Sequence, residues 1–448
     1  MKRIWIGLCV LAIVAAGAGP AFAGGTVNKS NLSIEYFRIL ARNAATDHAD
    51  IVAYNPAGTI KLEDGLYANL SAQYLIEKNY KNNFNDTVYG ITEHESTEPS
   101  IVPGLYSVYK DGSWAAFFGA NVPVGGGKVD YEKGNYSTYA IGKGLTAPFP
   151  FGAGGTLNSH SVEGESVGMG YTIGGAYRIN DMFSFSLAGR YIDSKVEIDA
   201  NANISGSLNP AFNGDNPIEF EATAQGWGWI AGLDIFPTDD IVIGIRYEAR
   251  TKLDYQFDVD QGASILSNLT PDPINDGDKK RGDLPATFGT GVSYQINDKL
   301  RAEVNLTYYF NTQADIGGES LRNKVTDQTT GAVNELEDVI NDGFEIGIGA
   351  EYALSKTLKL SAGYLYTESG VSPQYSSKFL PDLDSHTIGL GCQWTPVKNL
   401  DLNFGAGYVS YMSDSYTDNT LAPLEGPIVV EYQKHIPYLG FGLQYKFF

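Results

Sequence analysis

Ile241-Val242-Ile243-Gly244-Ile245-Arg246-Tyr247-Glu248 alternates strictly: Ile241, Ile243, Ile245 and Tyr247 fall on one side of an extended chain, and Val242, Gly244, Arg246 and Glu248 on the other. One face is apolar and the other ionic. The split recurs in Leu300, Ala302, Val304, Leu306 and Tyr308 against Arg301, Glu303 and Asn305, and in Phe344, Ile346 and Ile348 against Glu345, Gly347, Gly349 and Glu351. In a soluble sandwich the apolar face would be the core. In a membrane barrel it faces lipid, and the charges face inward.

Fourteen segments of this kind can be marked, beginning with Gly65 to Tyr80, Pro99 to Lys110 and Ser113 to Val122, and ending with Leu400 to Tyr411 and Val429 to Phe447. Their connections decide between the two architectures. Tight turns such as Asp111-Gly112, Asn180-Asp181, Asn297-Asp298 and Ser355-Lys356 alternate with long loops such as Lys81 to Glu98, Pro123 to Glu165 and Thr312 to Asp342. Short turns on one side, long loops on the other and an even strand number describe an outer-membrane barrel. The last segment, with Phe441, Leu443, Tyr445 and Phe447, ends at the aromatic Phe448 like an assembly signal, although Phe448 is one residue out of phase. The expected fold is all-β, a 14-stranded antiparallel transmembrane barrel whose first and last strands pair, leaving no edge.

Residues 1–23 read as a secretory signal peptide: Lys2 and Arg3, an apolar run from Ile4 to Ala18, then Ala21-Phe22-Ala23 before Gly24. Residues 24–64 show little alternation, and Ala53-Tyr54-Asn55-Pro56-Ala57-Gly58 closes the only helix-like part of the chain. Pro56 and Gly58 are expected to end a helix there. The division is then a signal peptide, a small helical hatch over 24–64, and the barrel with its external loops over 65–448.

The 52 acidic residues outnumber 31 basic ones, which repels phosphate backbones and argues against nucleic acid. Cys9 leaves with the signal peptide, so Cys392 has no intrachain partner. His48, His94, His160, His386 and His435 lack ligand spacing, so no metal is expected. Nothing suggests a catalytic constellation or a cofactor, and a non-enzyme is expected. The acidic loop Pro271-Asp272-Pro273-Ile274-Asn275-Asp276-Gly277-Asp278 lacks the spaced ligands and closing Glu of a calcium loop.

Pro123-Val124-Gly125-Gly126-Gly127 follows the third segment, where Pro and three Gly remove ladder bonds and stiffness. It reads either as a strand break that opens the wall or as the start of a loop. The stretch from Leu145 to Phe151, with Pro148 and Pro150, is apolar for an external loop; it either binds something or packs onto neighbouring loops.

Taken together, Asn55-Pro56-Ala57-Gly58 at the end of the plug, Gly226-Trp227-Gly228-Trp229 with Ala231-Gly232 in the sixth segment, Asp283-Leu284-Pro285 and Pro381-Asp382-Leu383-Asp384 resemble the FadL/TodX family. These are outer-membrane transporters of long-chain fatty acids and other hydrophobic compounds. The resemblance spans nearly all of the chain after the signal peptide. It implies a barrel closed by an N-terminal hatch and a third strand kinked inward to leave a lateral opening toward the membrane. Asn55, Pro56, Ala57 and Gly58 match the hatch motif, and Pro123, Gly125, Gly126 and Gly127 fall where the opening would be. Fatty-acid carriers of the family place basic residues in the lumen. Here Lys195 lies near an expected position beside Asp193, Leu336-Glu337-Asp338 carries no cation, and Arg246 and Arg250 are substitutes that also suit a lumen salt-bridge network.

The resulting expectation is passive uptake of a hydrophobic small molecule, fatty acid or neutral hydrocarbon, by a monomer embedded in outer-membrane lipid of a Gram-negative cell. A general porin for polar solutes is the alternative suggested by the charged inner face, and a surface adhesin or scaffold is the alternative suggested by the long loops.

Overall fold

A computed structural model describes residues 30–448 apart from 149–151, 269–273, 316–324, 327–332, 335–339, 374–375, 377–378 and 420. The signal-peptide assignment, Leu336-Glu337-Asp338, Phe149 to Phe151 and the start of the acidic loop at Pro271 lie outside the described residues.

Period-two alternation becomes a wall of fourteen strands: β1 (Gly65–Leu75), β2 (Ser100–Asp111), β3 (Trp114–Tyr131), β4 (Thr156–Arg178), β5 (Phe183–Ser205), β6 (Gly214–Thr238), β7 (Ile241–Glu248), β8 (Thr287–Asn297), β9 (Leu300–Tyr309), β10 (Gly343–Ala353), β11 (Leu358–Glu368), β12 (Ser385–Val397), β13 (Leu400–Tyr411) and β14 (Ile428–Lys446). Each pairs antiparallel with its neighbours in sequence, and β1 pairs with β14 from Tyr67↔Lys446 to Leu75↔Tyr438. Closure satisfies the backbone groups that lipid cannot. No helix among the described residues is long and apolar enough to cross a membrane; strands make the crossing.

The two faces sort by chemistry. Glu303, Asn305, Glu345 and Glu351 are buried inside, while Val304, Leu306, Ile346 and Ile348 are exposed outside. Tyr171, Tyr191 and Trp227 stand opposite one another on β4, β5 and β6, with ring centroids 6.4 and 5.0 Å apart. This is an aromatic girdle of the kind found where such barrels meet the membrane interface.

β4, β5 and β6 run for 23, 23 and 25 residues, about twice the ~10 a crossing strand needs. Their far halves continue past the girdle, and the outward face changes from Tyr and Trp to Glu163, Asp193, Lys195 and Glu197. Sequence reading shortened these strands because a polar outer face resembles a loop. The long connections also carry structure of their own: an Asn79–Asp86 and Ile91–Ser96 hairpin extends the sheet along β14, and helix α2 (Tyr136–Leu145) sits between β3 and β4. The plug is therefore not the only helical part. The signal for α2 is Asn135, whose side chain accepts from the amides of Ser137 and Thr138 while Thr138 reaches back to the Asn135 amide.

Residues 30–64 fill the lumen. Helix α1 (Ile34–Phe37) is capped by Ser33, and two 3₁₀ turns follow at Ala49–Ala53 and Pro56–Lys61. Glycines on the inner faces of β10, β11 and β12 admit this backbone: a Cβ at Gly347, Gly349, Gly363 or Gly389 would lie 2.0 to 2.1 Å from a carbonyl of Leu40, Ile39 or Phe37. Plug charges meet wall charges. Arg38 pairs with Glu351, and Asp47 lies 2.7 Å from Arg42 and 3.2 Å from Arg301. Such pairing offsets the cost of burying ions away from water.

Candidate functional site

Asn55 does not end a helix; it begins one. Its side chain accepts from the Ala57 amide at 3.3 Å, and Pro56 takes the first helical position, where a missing N–H costs nothing. The Asn55 amide also reaches the wall, donating to Asp234 Oδ1 at 2.5 Å and to the Leu233 carbonyl at 3.3 Å on β6. Ser184 of β5 donates to the Ala57 carbonyl at 3.0 Å. At Gly58 a Cβ would lie 2.4 Å from the Ala45 carbonyl, so no larger residue fits without a shift. The four residues thus fasten the plug to β5 and β6.

The wall itself is interrupted between β2 and β3. Their ladder runs from Asp111↔Trp114 to Leu105↔Ala120 and stops. Beyond it, Ser100 to Gly104 pair only with β1, while Asn121 to Tyr131 of β3 pair only with β4. The β3–β4 register also slips twice, between Asn121 and Val124 and between Val124 and Gly127. β3 therefore continues through Pro123 to Gly127 as a bulged strand rather than becoming a loop there. Pro103 and Pro123, one on each edge, lack the N–H a ladder needs. Gly125 and Gly127 have φ of 95° and 73°, a region that favours glycine. Ala120, the last residue of β3 paired with β2, stands opposite Tyr171 of β4, so the gap begins at the aromatic girdle.

A cavity of about 550 Å³ passes between these edges, within the size range of small-molecule sites. Asn31, Tyr411, Lys434 and Ile436 border it inside the barrel, and Ile101, 68 % exposed, borders it outside. A smaller apolar cavity of about 40 Å³ shares Asn31, Leu75, Tyr411 and Ile436 with it and continues to Phe37 and Leu40 of the plug. Lys78 braces the gap by donating to the carbonyls of Gly126 at 2.9 Å and Lys128 at 2.6 Å. Burial, reinforced by the charge of Lys434, lowers the Lys78 ammonium to about 8.

The cations singled out in the sequence are placed differently. Lys195 faces outward, because Ser194 and Val196 on either side are buried, and its Nζ lies 2.6 Å from Glu197 and 2.8 Å from Glu221. It is not a lumen cation; on the far half of β5 the outer face is wet, so a lysine there points to water. Arg246 does face inward, but it pairs with Glu248, which also holds Arg190 at 2.5 Å. These groups line a pocket of about 50 Å³ between plug and wall that also touches Pro123. Arg250 lies past the end of β7, donating to the Gln313 carbonyl at 2.6 Å. Sequence reading missed Lys78, Arg190 and Lys434, since nothing local distinguishes them from other inward polar residues.

Above the gap, Asp86 of the hairpin lies 2.9 Å from His160 Nε2 and 3.3 Å from His94 Nε2. His160 Nδ1 meets Thr138 of α2 at 2.9 Å, so the hairpin, α2 and β4 are joined. Burial, partly opposed by the Asp86 charge, pushes His94 below 6.5. Leu145 and Ala147 of the apolar loop are buried, and Leu145 belongs to the same packed cluster as Leu157 of β4.

A family model described as outer membrane protein transport protein (OMPP1/FadL/TodX) matches residues 12–447. The long-chain fatty acid transport protein of Escherichia coli is 22 % identical over 271 residues, 55 % of this chain and 59 % of that one. The chain thus spans little more than half the length of such a curated relative. A Pseudomonas aeruginosa FadL homologue superposes with a TM-score of 0.64 at 15 % identity, covering 97 % of this chain and 98 % of that one. The Pseudomonas putida toluene transporter TodX does so at 0.59 and 16 %, covering 90 % and 96 %. These likenesses establish the shared fold.

Proposed function

This chain belongs to the outer membrane protein transport family (OMPP1/FadL/TodX), and on that premise we propose that it carries a hydrophobic small molecule passively across the outer membrane and releases it sideways through the β2–β3 gap. The protein is an outer-membrane channel of a Gram-negative cell, not an enzyme. The observation that carries the lateral route is the unpaired stretch of β2 and β3 with a cavity running through it. A sealed wall would force the ligand down the lumen, past a plug fastened to the wall by the Arg38–Glu351 and Asp47–Arg301 ion pairs.

The physical case is a difference in solvent. A hydrophobic ligand gains roughly 25 cal/mol for each Å² removed from water, so capture needs no energy source. The apolar cavities beside α1 and between β2 and β3 offer that burial, and the gap opens level with the aromatic girdle. In this reading the Asn55 to Gly58 segment is the hatch, and Pro123 with Gly125 to Gly127 forms the exit. Long-chain fatty acids and aromatic hydrocarbons, carried by the named relatives, are the two ligand classes.

The test is uptake by cells that lack other routes, comparing a radiolabelled hydrophobic substrate with a polar solute of similar mass. Expression is expected to raise entry of the first only. Steady, large conductance in planar bilayers would instead establish a polar pore and overturn this reading.

A further inference from the structure

Three glycines follow one another in β3, and backbone conformation accounts for two of them. Gly125 and Gly127 have φ of 95° and 73°, whereas Gly126 between them lies outside that left-handed region. What Gly126 supplies is space. A Cβ there would lie 2.9 Å from Leu380 Cδ1 and 3.1 Å from Leu380 Cδ2. Leu380 comes from the connection between β11 and β12, and both residues border the wall cavity. Its backbone is held on either side: the Tyr131 hydroxyl of β3 donates to the Phe379 carbonyl at 3.4 Å, and the Asp382 amide donates to Ser376 Oγ at 2.6 Å. Pro381 further confines the residue before it to extended conformations. Leu380 is buried and belongs to the apolar cluster that contains Val124 and Val129 of β3. A branched alkyl group on a stiff mount therefore stands at the passage, seated where β3 carries no side chain.

We propose that Leu380, seated against Gly126, sets the girth of the ligand that leaves through the β2–β3 gap, admitting unbranched chains and slim single rings and turning back branched ones. This rests on the uptake reading above and adds a selection by shape within it. A slim ligand passes when the leucine side chain changes rotamer, whereas a wider one must displace the anchored backbone. Hydrophobicity alone would favour the larger ligand, which has more apolar surface to bury. The expected preference therefore runs against the solvent term.

Expression-dependent entry into cells that lack other routes tests this with two pairs of radiolabelled probes: palmitate against its methyl-branched analogue phytanate, and toluene against triisopropylbenzene. Heat-modifiable gel mobility confirms that each variant is folded. For a slim probe that enters, the native protein is expected to admit the branched partner at least about tenfold more slowly, the low end of what a misfit alkyl group costs in an apolar pocket. In Leu380→Ala that ratio should fall several-fold. Gly126→Ala should slow the slim probe by pushing the leucine into the passage, and adding Leu380→Ala should restore its entry, a coupling that independent structural damage would not produce. A native ratio near one, an unchanged ratio in Leu380→Ala, or a Gly126→Ala defect that persists without the leucine overturns the assignment. If slim and branched probes enter alike, this inference fails alone; if none of the probes enters, the uptake reading fails with it.

Discussion

The seam between β5 and β6 and the seam between β2 and β3 belong to one barrel and obey opposite rules. β5 and β6 pair without a slip from Phe183↔Ile235 to Ile204↔Gly214. The β2–β3 ladder ends at Leu105↔Ala120, although both strands continue. An unpaired edge inside a membrane protein normally costs several kcal/mol per backbone group. Here side chains stand in for the missing strand: Lys78 Nζ serves the carbonyls of Gly126 and Lys128, and Ser96 Oγ accepts from the Asp130 amide at 2.8 Å. The comparison teaches that the gap is a furnished structure rather than a torn one. The continuous seam has another task, since Ser184 and Asp234 on it hold Ala57 and Asn55 of the plug.

Restoring the ladder should produce the largest effect. Between Asn121 and Gly127, β3 carries two residues more than the β4 stretch it faces, one at each slip. Deleting Pro123 and Gly126 should straighten β3, extend its pairing with β2 and lower uptake at least about tenfold in a normally folded barrel. Normal uptake through a wall shown by hydrogen exchange to be closed would rule out the lateral exit.

Loosening the fastened side comes next. Asn55→Ala removes the donor to Asp234 Oδ1 and the acceptor for the Ala57 amide, a loss of about 1–3 kcal/mol at a buried polar site. Exchange at residues 49–61 should accelerate several-fold while β5 and β6 remain protected. Equal acceleration in the wall would mean that the plug and barrel open as one unit.

Acid should act on the cap above the gap and spare the continuous seam. His94 has a folded pKa below 6.5, so the unfolded segment binds its proton first; the stability this confers is complete above about pH 6.5 and is lost as pH falls through the lowered value. Asp86 acts in the same direction at lower pH. Burial raises it, but the His160 bond and charge with the Val88 and Tyr89 amides bring it below 3.8. Between pH 7 and 5, exchange across residues 79–96, corrected for intrinsic rates, should rise a few-fold. A rise confined to β5 and β6 would contradict the assignment. The smallest effect is expected at Lys195: Lys195→Ala, on the outer face of β5, should leave uptake within about twofold of the native rate.

The wall was legible because its code is local. Alternation at Ile241 to Glu248 and Leu300 to Tyr308 needs only neighbouring residues, and alternating loop lengths fixed fourteen strands and which ends face outward. The far halves of β4 to β6 were less legible, since Glu163 or Glu197 on an outer face past the girdle carries no apolar signal. At Asn55-Pro56 the residues that can stop a helix are also those that can start one, and the Asp234 carboxylate waiting on β6 is invisible from the plug.

Sequence by itself determined a closed, lipid-facing barrel with an inner ionic face, because side-chain direction in a strand repeats every two residues. Tertiary structure alone decided where that barrel is open and which cations are paired. Register between strands sets both: the two extra residues of β3 free its edge from β2, and closure of the sheet brings Lys78 and Tyr80 to Tyr411 and Lys434, more than 330 residues away in the chain.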